Sequence, residues 1–454
     1  MPWPIQNIMV SMYGFMLRRR EYGSEFKRIF SEFENRQWLP ASEIQEYQNT
    51  KLAALIKHAY DTVPYYQRIM DERNLKPSDV TTTEDLVKLP ILSRDDVRTH
   101  GDDLISRSFD KKDLILGHTS GTTGSPLEFF YDRSVCLHKN IIDWRQKSVG
   151  DIKFGDKIAF FLGRVVVPLH RKRPPFWRYN FAMNHLLFSS FHLSGDNVES
   201  YVKKLRSYKP AAIEGYPSTL FIVAKFLKAH NQTLPIKAIF SSSETLFPQQ
   251  REVIEEVFET DLYDYYGLAE RTLFATECEK HEGHHVNNDF GIIELLGPDG
   301  EHVAPGELGR IVTTGLHNYA MPLIRYRTSD ITSIKSTACS CGRGFPLMDD
   351  VTTKEEDIIT TKDGRLISSS ILTHPFKPMV NIAESQIVQE DRDNITIKII
   401  RRSGYSDEDS RHLIKELGMR IGTDIKINIE FVDSIDRTSA GKFRWVISKV
   451  PLEF

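Results

Sequence analysis

Between residues 157 and 266 the chain alternates short apolar runs with helix-forming stretches. That alternation restricts the fold more than any other feature. KIAFFLG (157–163) reads as a buried strand, AAIEG (211–215) as a second, and residues 238–241 and 262–266 as two more. Pro217 opens a helix running to His230. Pro248 opens another, whose Val253, Ile254, Val257 and Phe258 share one face. Strands separated by helices predict a largely parallel α/β sheet. Ligands of such sheets sit beyond the carboxyl ends of the strands. Both SSSE (241–244) and YYGLAE (265–270) fall there.

The flanking regions have other patterns. Leu52, Leu55, Ile56 and Ala59 fall on one helical face, and Val63-Pro64 stops that helix. GIIELLGPDGEHV and GELGRIVTTG, within 291–315, alternate about a Pro-Asp-Gly turn and predict β-hairpin structure. After Lys354, Ile395, Ile397 and Ile399 alternate, Leu413, Leu417 and Ile421 mark a helix, and KINIEF (426–431) alternates again. The expected plan is a large domain over 1–353, with a β subdomain at 290–350, and a small α+β domain over 354–454.

At 454 residues, with Lys plus Arg 59 against Asp plus Glu 62, the chain has no basic excess that would indicate nucleic acid. Its four cysteines are too sparse for a disulfide scaffold and fit a reducing compartment, so the cytoplasm is the expected location. The first twenty residues are apolar and then basic, the reverse of a secretory signal. They predict an amphipathic helix packed on the body, with loose association to a membrane assembly as the alternative. No run is long enough to span a bilayer.

The strongest local signal is TSGTTGSP (119–126). Thr119, Ser120, Gly121, Thr122, Thr123 and Gly124 are all hydroxyl residues or glycines. Glycines let backbone N–H groups approach an anion, and hydroxyls add donors, which suits nucleotide phosphates. The Walker spacing is absent, which disfavours a P-loop kinase or ATPase.

This string resembles the phosphate loop of the adenylate-forming superfamily of acyl-CoA synthetases, adenylation domains and luciferases. Further motifs follow in the superfamily's order. Tyr265, Tyr266 and Gly267, leading to Glu270, resemble its Y-G-x-x-E box, and Ser242, Ser243 and Glu244 its adenine-contacting loop. RYRTSD (325–330), with Arg327 and Asp330, resembles the ribose-binding segment, and Gly441-Lys442 the C-terminal catalytic lysine motif. HAYDTVPYYQRIM and MPLIRYRTSDIT are similar to the phenylacetate–CoA ligase family, including its capsular-polysaccharide-locus members.

The resemblance implies activation of a small carboxylic acid by ATP as an acyl-AMP, then transfer to coenzyme A. Transfer to an amine is the alternative, and a non-catalytic scaffold retaining the fold is the reading of another class. Glu270 would help hold Mg²⁺ and Asp330 the ribose hydroxyls. Lys442 would meet the α-phosphate and carboxylate from a mobile C-terminal domain. The family's hinge pattern, Gly-Arg, one variable residue and two acids, reads here Thr353-Lys354-Glu355-Glu356-Asp357. Lysine cannot make an arginine's bidentate contact. Ser125 stands where a lysine often follows the phosphate loop.

Cys278, Cys339 and Cys341 with one histidine are similar to a structural zinc site of some subgroup members. His285 matches best, with His281 and His284 as alternatives. Three thiolates and an imidazole would close a tetrahedral site. Cys136 lies outside the set. Tyr216, Pro217 and Phe240 are candidate acyl-pocket residues or ordinary core. Arg164, His170 and Arg171 are candidates for meeting a polar acid. A homodimer is a further expectation.

Overall fold

The computed structural model describes residues 3–118, 127–162, 166–168, 171–193, 197–351, 353–354, 359–361, 366–367, 372, 374–376, 379, 381–422, 424–436 and 443–450. All four apolar runs of the central region are strands: β1 (Ile158–Phe161), β4 (Ala212–Gly215), β5 (Ala238–Ser242) and β6 (Leu262–Gly267). They share one sheet with β2 (Trp177–Asn180), β3 (His185–Phe188), β7 (Phe274–Glu277), β8 (His284–Val286) and β12 (Leu347–Met348), in the order β12-β8-β7-β6-β5-β4-β1-β3-β2. The central strands β3, β1, β4, β5 and β6 run parallel. The flanking strands are antiparallel. Every residue of β4 and β5 is buried, because helices cover both faces of a parallel sheet.

Among those helices are α4 (Pro217–Ala229) and α5 (Pro248–Phe258). Each has its proline in the first turn, where no N–H bond is lost. Chain-wise before them come α1 (Trp3–Glu21), α2 (Ala41–Thr62) and α3 (Arg133–Val149). The predicted stop of α2 is Val63, whose N–H still closes on Ala59; Pro64 then begins a further helix.

The hairpin expected at 291–315 is β9 (Gly291–Leu296) against β10 (Gly309–Gly315). With β11 (Tyr326–Thr332) and β13 (Thr353–Lys354) it forms a four-stranded antiparallel sheet, β9-β10-β11-β13. β14 (Ile382–Gln389), β15 (Asn394–Arg401), β16 (Lys426–Phe431) and β17 (Val446–Ser448) form a separate sheet, β16-β15-β14-β17, beside α6 (Asp407–Ile421). The alternating isoleucines of β15 and the Leu413, Leu417, Ile421 face of α6 share its core, distinct from those of the larger sheets.

Candidate functional site

β5 and β6 are parallel neighbours, so the residues after them emerge side by side, with Ser242 opposite Tyr265. The Ser242 and Ser243 hydroxyls lie 3.3 Å apart, and Ser243 takes φ +70° as the chain leaves the sheet. Two hydrogen bonds join this sheet end to β11. Tyr266 Oη donates to Asp330 Oδ2 at 2.6 Å, and Tyr326 Oη donates to Glu270 Oε1 at 2.7 Å. The motifs YYGLAE and RYRTSD, some sixty residues apart in sequence, thus face one another.

Glu270 is buried, and burial pushes its carboxyl above the usual range, although the Tyr326 hydroxyl works the other way. A buried carboxylate bonded on one oxygen is a suitable partner for a cation, so Glu270 fits the expectation of Mg²⁺. Burial and the adjacent Asp330 keep the Tyr266 hydroxyl protonated, hence a donor. The Asp330 backbone N–H donates to Thr328 Oγ1, and Asp330 stands opposite Lys354 in the β11–β13 register. Arg325 does not serve Asp330; it is committed to Glu294 through Nε and Nη2, at 3.1 and 2.8 Å, and to the Leu89 carbonyl. The Arg327 side chain is exposed, while its backbone N–H bonds Leu92.

The cysteine cluster is assembled at the other end of β7 and β8. Cys278 follows β7, His285 lies on β8, and Cys339 and Cys341 come from the segment before β12. Their ligand atoms all lie within 4.8 Å of one another. The Cys278 and Cys339 sulfurs are 3.6 Å apart, and Cys341 Sγ is 3.3 Å from His285 Nε2. The Lys280, Cys341 and Arg343 backbone N–H groups donate to the three sulfurs. Burial lowers the His285 imidazole to about 4, leaving it neutral, the form that binds metal.

Strand alternation separates His284 from His285, and His281 lies in the turn before the strand. His284 points to the opposite face of β8, with Nε2 3.2 Å from Asp264 and Nδ1 3.3 Å from Asp350. Burial alone would lower its imidazole, but these two carboxylates outweigh that and raise it to about 10. Asp264 in turn accepts from Ser241. His281 stacks on Tyr263 with ring centroids 5.1 Å apart.

Residues 119–126, 164, 170, 441 and 442 lie outside the described residues, as does the side chain of Lys354. The strands bracketing the phosphate-loop motif pair antiparallel, with His118 opposite Glu128. Arg171 bonds the carbonyls of Arg173 and Pro174 in its own loop. Phe240 is fully buried in a core cluster, and Pro217 is the first residue of α4. Cys136 packs against a core and accepts from Arg271. Sequence reasoning missed Tyr326 as the partner of Glu270, and the buried Lys147–Glu214 ion pair at 2.8 Å.

This fold is shared with solved CoA ligases and an amide bond synthetase. A solved 2-hydroxyisobutyryl-CoA ligase in the postadenylation state overlays with TM-score 0.71 at 20% identity, covering 91% of each chain. The same ligase in its thioesterification state gives 0.57 at 21% identity, again covering 91% of each chain. The amide bond synthetase McbA from Marinactinospora thermotolerans gives 0.50 at 13% identity, over 73% of this chain and 67% of that one. In sequence, Protein CapK of Staphylococcus aureus is 28% identical over 99% of this chain and 98% of its own. A phenylacetate-coenzyme A ligase of Thermus thermophilus is 24% identical, over 85% and 86%. Residues 359–449 match the family described as the CapK C-terminal domain. The chain is thus similar in sequence to CapK and the phenylacetate-coenzyme A ligases, and in fold to 2-hydroxyisobutyryl-CoA ligase. Among the described residues, no helix is long and apolar enough to cross a membrane.

Proposed function

We propose that this chain activates a carboxylic acid with ATP and transfers the acyl group to coenzyme A. The carboxylate oxygen bonds to the α-phosphorus and pyrophosphate leaves; the thiol sulfur then bonds to the acyl carbon, and AMP leaves with its oxygen. The observation that carries this is the pair of hydrogen bonds Tyr266–Asp330 and Tyr326–Glu270, which hold two carboxylates in fixed positions at the sheet end. Asp330 is assigned to the ribose hydroxyls, and residues 119–124 to the phosphates. Ser242, Ser243, Glu244, Tyr265 and Gly267 are assigned to the base. Such chemistry needs positioning and charge neutralisation more than covalent help from the protein.

Glu270 would hold Mg²⁺, which supplies positive charge beside the phosphates when bound. Lys442 is assigned to the α-phosphate and Lys354 and Arg327 to the nucleotide, with 354–454 acting as the mobile domain. The better overlay with the postadenylation form supports a resting arrangement near adenylation. The cluster of Cys278, His285, Cys339 and Cys341 would hold a structural zinc. The capsule-locus likeness and reduced cysteines support a cytoplasmic role in capsular-polysaccharide biosynthesis.

The capsule-locus likeness supports a second reading, in which the acceptor is an amine, and the departure of 353–357 from the Gly-Arg hinge pattern supports a non-catalytic scaffold. ATP–pyrophosphate exchange over aryl, aliphatic, amino and uronic acids tests the first half-reaction. Exchange that depends on one acid class and collapses in Lys442→Ala and Asp330→Ala is expected. No exchange with any acid while ATP still binds would overturn the proposal in favour of a non-catalytic scaffold. Consumption of free coenzyme A thiol separates the two acceptors.

A further inference from the structure

The N-terminal helix α1 turns most of its apolar residues outward. Its inward side carries Asn7, Ser11 and Gly14, with Val10 and Leu17 half-buried beside them, and it lies along the outer edge of β2. Asn7 Oδ1 accepts from Tyr179 N–H at 3.1 Å, Ser11 Oγ accepts from Phe181 N–H at 2.9 Å, and Arg18 donates to the Ala182 carbonyl. Approach is so close at Gly14 that a Cβ there would stand 2.3 Å from Asn180 side-chain atoms.

The apolar stripe faces outward. Ile5, Ile8, Met9, Met12, Phe15 and Met16 are 45–64% exposed, and Phe181 at the adjoining turn is 60% exposed. Monomeric proteins rarely leave such a contiguous apolar surface open. Basic residues flank it. Arg18, Arg19 and Arg20 occupy the last turn, and no acidic residue precedes Glu21, which pairs with Arg20. Near the other end, Gln6 accepts from the buried Arg178, and Arg171 lies close enough to Arg178 to oppose its charge; the surface charges there are Lys172 and Arg173, which are exposed.

We infer that this face docks in the plane of an anionic phospholipid surface, the apolar stripe entering the headgroup–acyl boundary and the arginines meeting lipid phosphates. A seam for a second copy of the chain would be expected to carry acidic partners for the arginines, and the stripe carries none. Basic ends bracketing an apolar band are what a negatively charged bilayer complements.

The test is co-sedimentation of the full chain with phosphatidylglycerol-containing vesicles and with neutral phosphatidylcholine vesicles, alongside sedimentation velocity without lipid. Binding to the anionic vesicles roughly tenfold above the neutral ones, weakened by salt, is expected. Met12→Asp with Phe15→Asp should abolish it, and R19Q/R20Q should reduce it about tenfold. Both variants change exposed side chains, and unchanged circular dichroism and thermal melting show that they fold. Absence of binding to either vesicle, or undiminished binding by the Asp variant, overturns the inference. A concentration-dependent dimer lost in the Asp variant, without vesicle binding, overturns it in favour of self-association.

Discussion

Replacing Cys339 by serine should release a bound zinc and loosen the fold around it. Tetrahedral zinc with bonds of about 2.3 Å to sulfur and about 2.05 Å to nitrogen places sulfurs about 3.8 Å apart and sulfur to nitrogen about 3.5 Å. The separations of 3.6 and 3.3 Å are within a few tenths of an ångström of that, and all four ligand atoms lie within 4.8 Å of one another, so closing on a cation needs shifts of no more than about 1 Å. Burial pushes the Cys278 and Cys339 thiols up, so without a cation they would be held neutral. Cys341 is lowered despite its burial, because the Arg343 amide and guanidinium outweigh it. A cation held between Cys278 and Cys339 closes a loop 61 residues long. The chain-entropy relation for cross-links gives about 4 kcal/mol for that length. For a unit of this size such a loss corresponds to a fall in melting temperature of about 4–6 °C. Metal content by mass spectrometry should drop from about one zinc per chain to near zero. Cys136→Ser, outside the cluster, should leave both readings unchanged. Wild type purified metal-free under reducing, zinc-replete conditions, or a Cys339→Ser chain that keeps its zinc and its melting temperature, would refute the reasoning.

Tyr266→Phe removes the donor to Asp330 and should raise the KM for ATP about tenfold in pyrophosphate exchange, with little change in melting. Lys147→Met leaves Glu214 as an uncompensated buried charge and should destabilise by about 3–5 kcal/mol in urea unfolding, with much of the loss recovered when Glu214→Leu is added. Burial, with Lys147 nearby, lowers the His185 imidazole to about 3, so native His185 should stay neutral by NMR well into the acid range. The unfolded chain takes up that proton near pH 6.5, so this contribution is fully present above 6.5. It is lost at about 1.4 kcal/mol per pH unit between about 6.5 and 3. His185→Phe should flatten that part of the stability–pH curve.

The parallel core was legible because its strands are short apolar runs bounded by turns and buried on both faces. The strands extending the sheet were not. β8 has three residues and β12 two, too few to show a period, and they are held by pairing to β7 and to each other. The choice among His281, His284 and His285 needed that pairing, since adjacent residues of a strand face opposite ways. Tyr326 lay inside a recognised motif, but its phenol reaches Glu270 only once β11 is laid against the sheet end. Lys147 reads as a surface lysine of α3 until Glu214 on β4 is brought beneath it. The N-terminal helix does pack on the body as its sequence suggests, but with most of its apolar residues turned outward.

That orientation has a cause in the sheet rather than in the helix. Among the described residues β2 is an outermost strand with β3 as its one strand partner, so its other side presents backbone groups that no strand pairs. Helix α1 occupies that side with Asn7, Ser11 and Arg18 as substitutes for the missing neighbour strand. Open strand edges recruit further strands from other molecules. Deleting residues 1–21, a common trimming of an apolar terminus, would therefore trade a greasy helix for a sticky sheet edge, and the shortened protein should polymerise by strand addition rather than become better behaved.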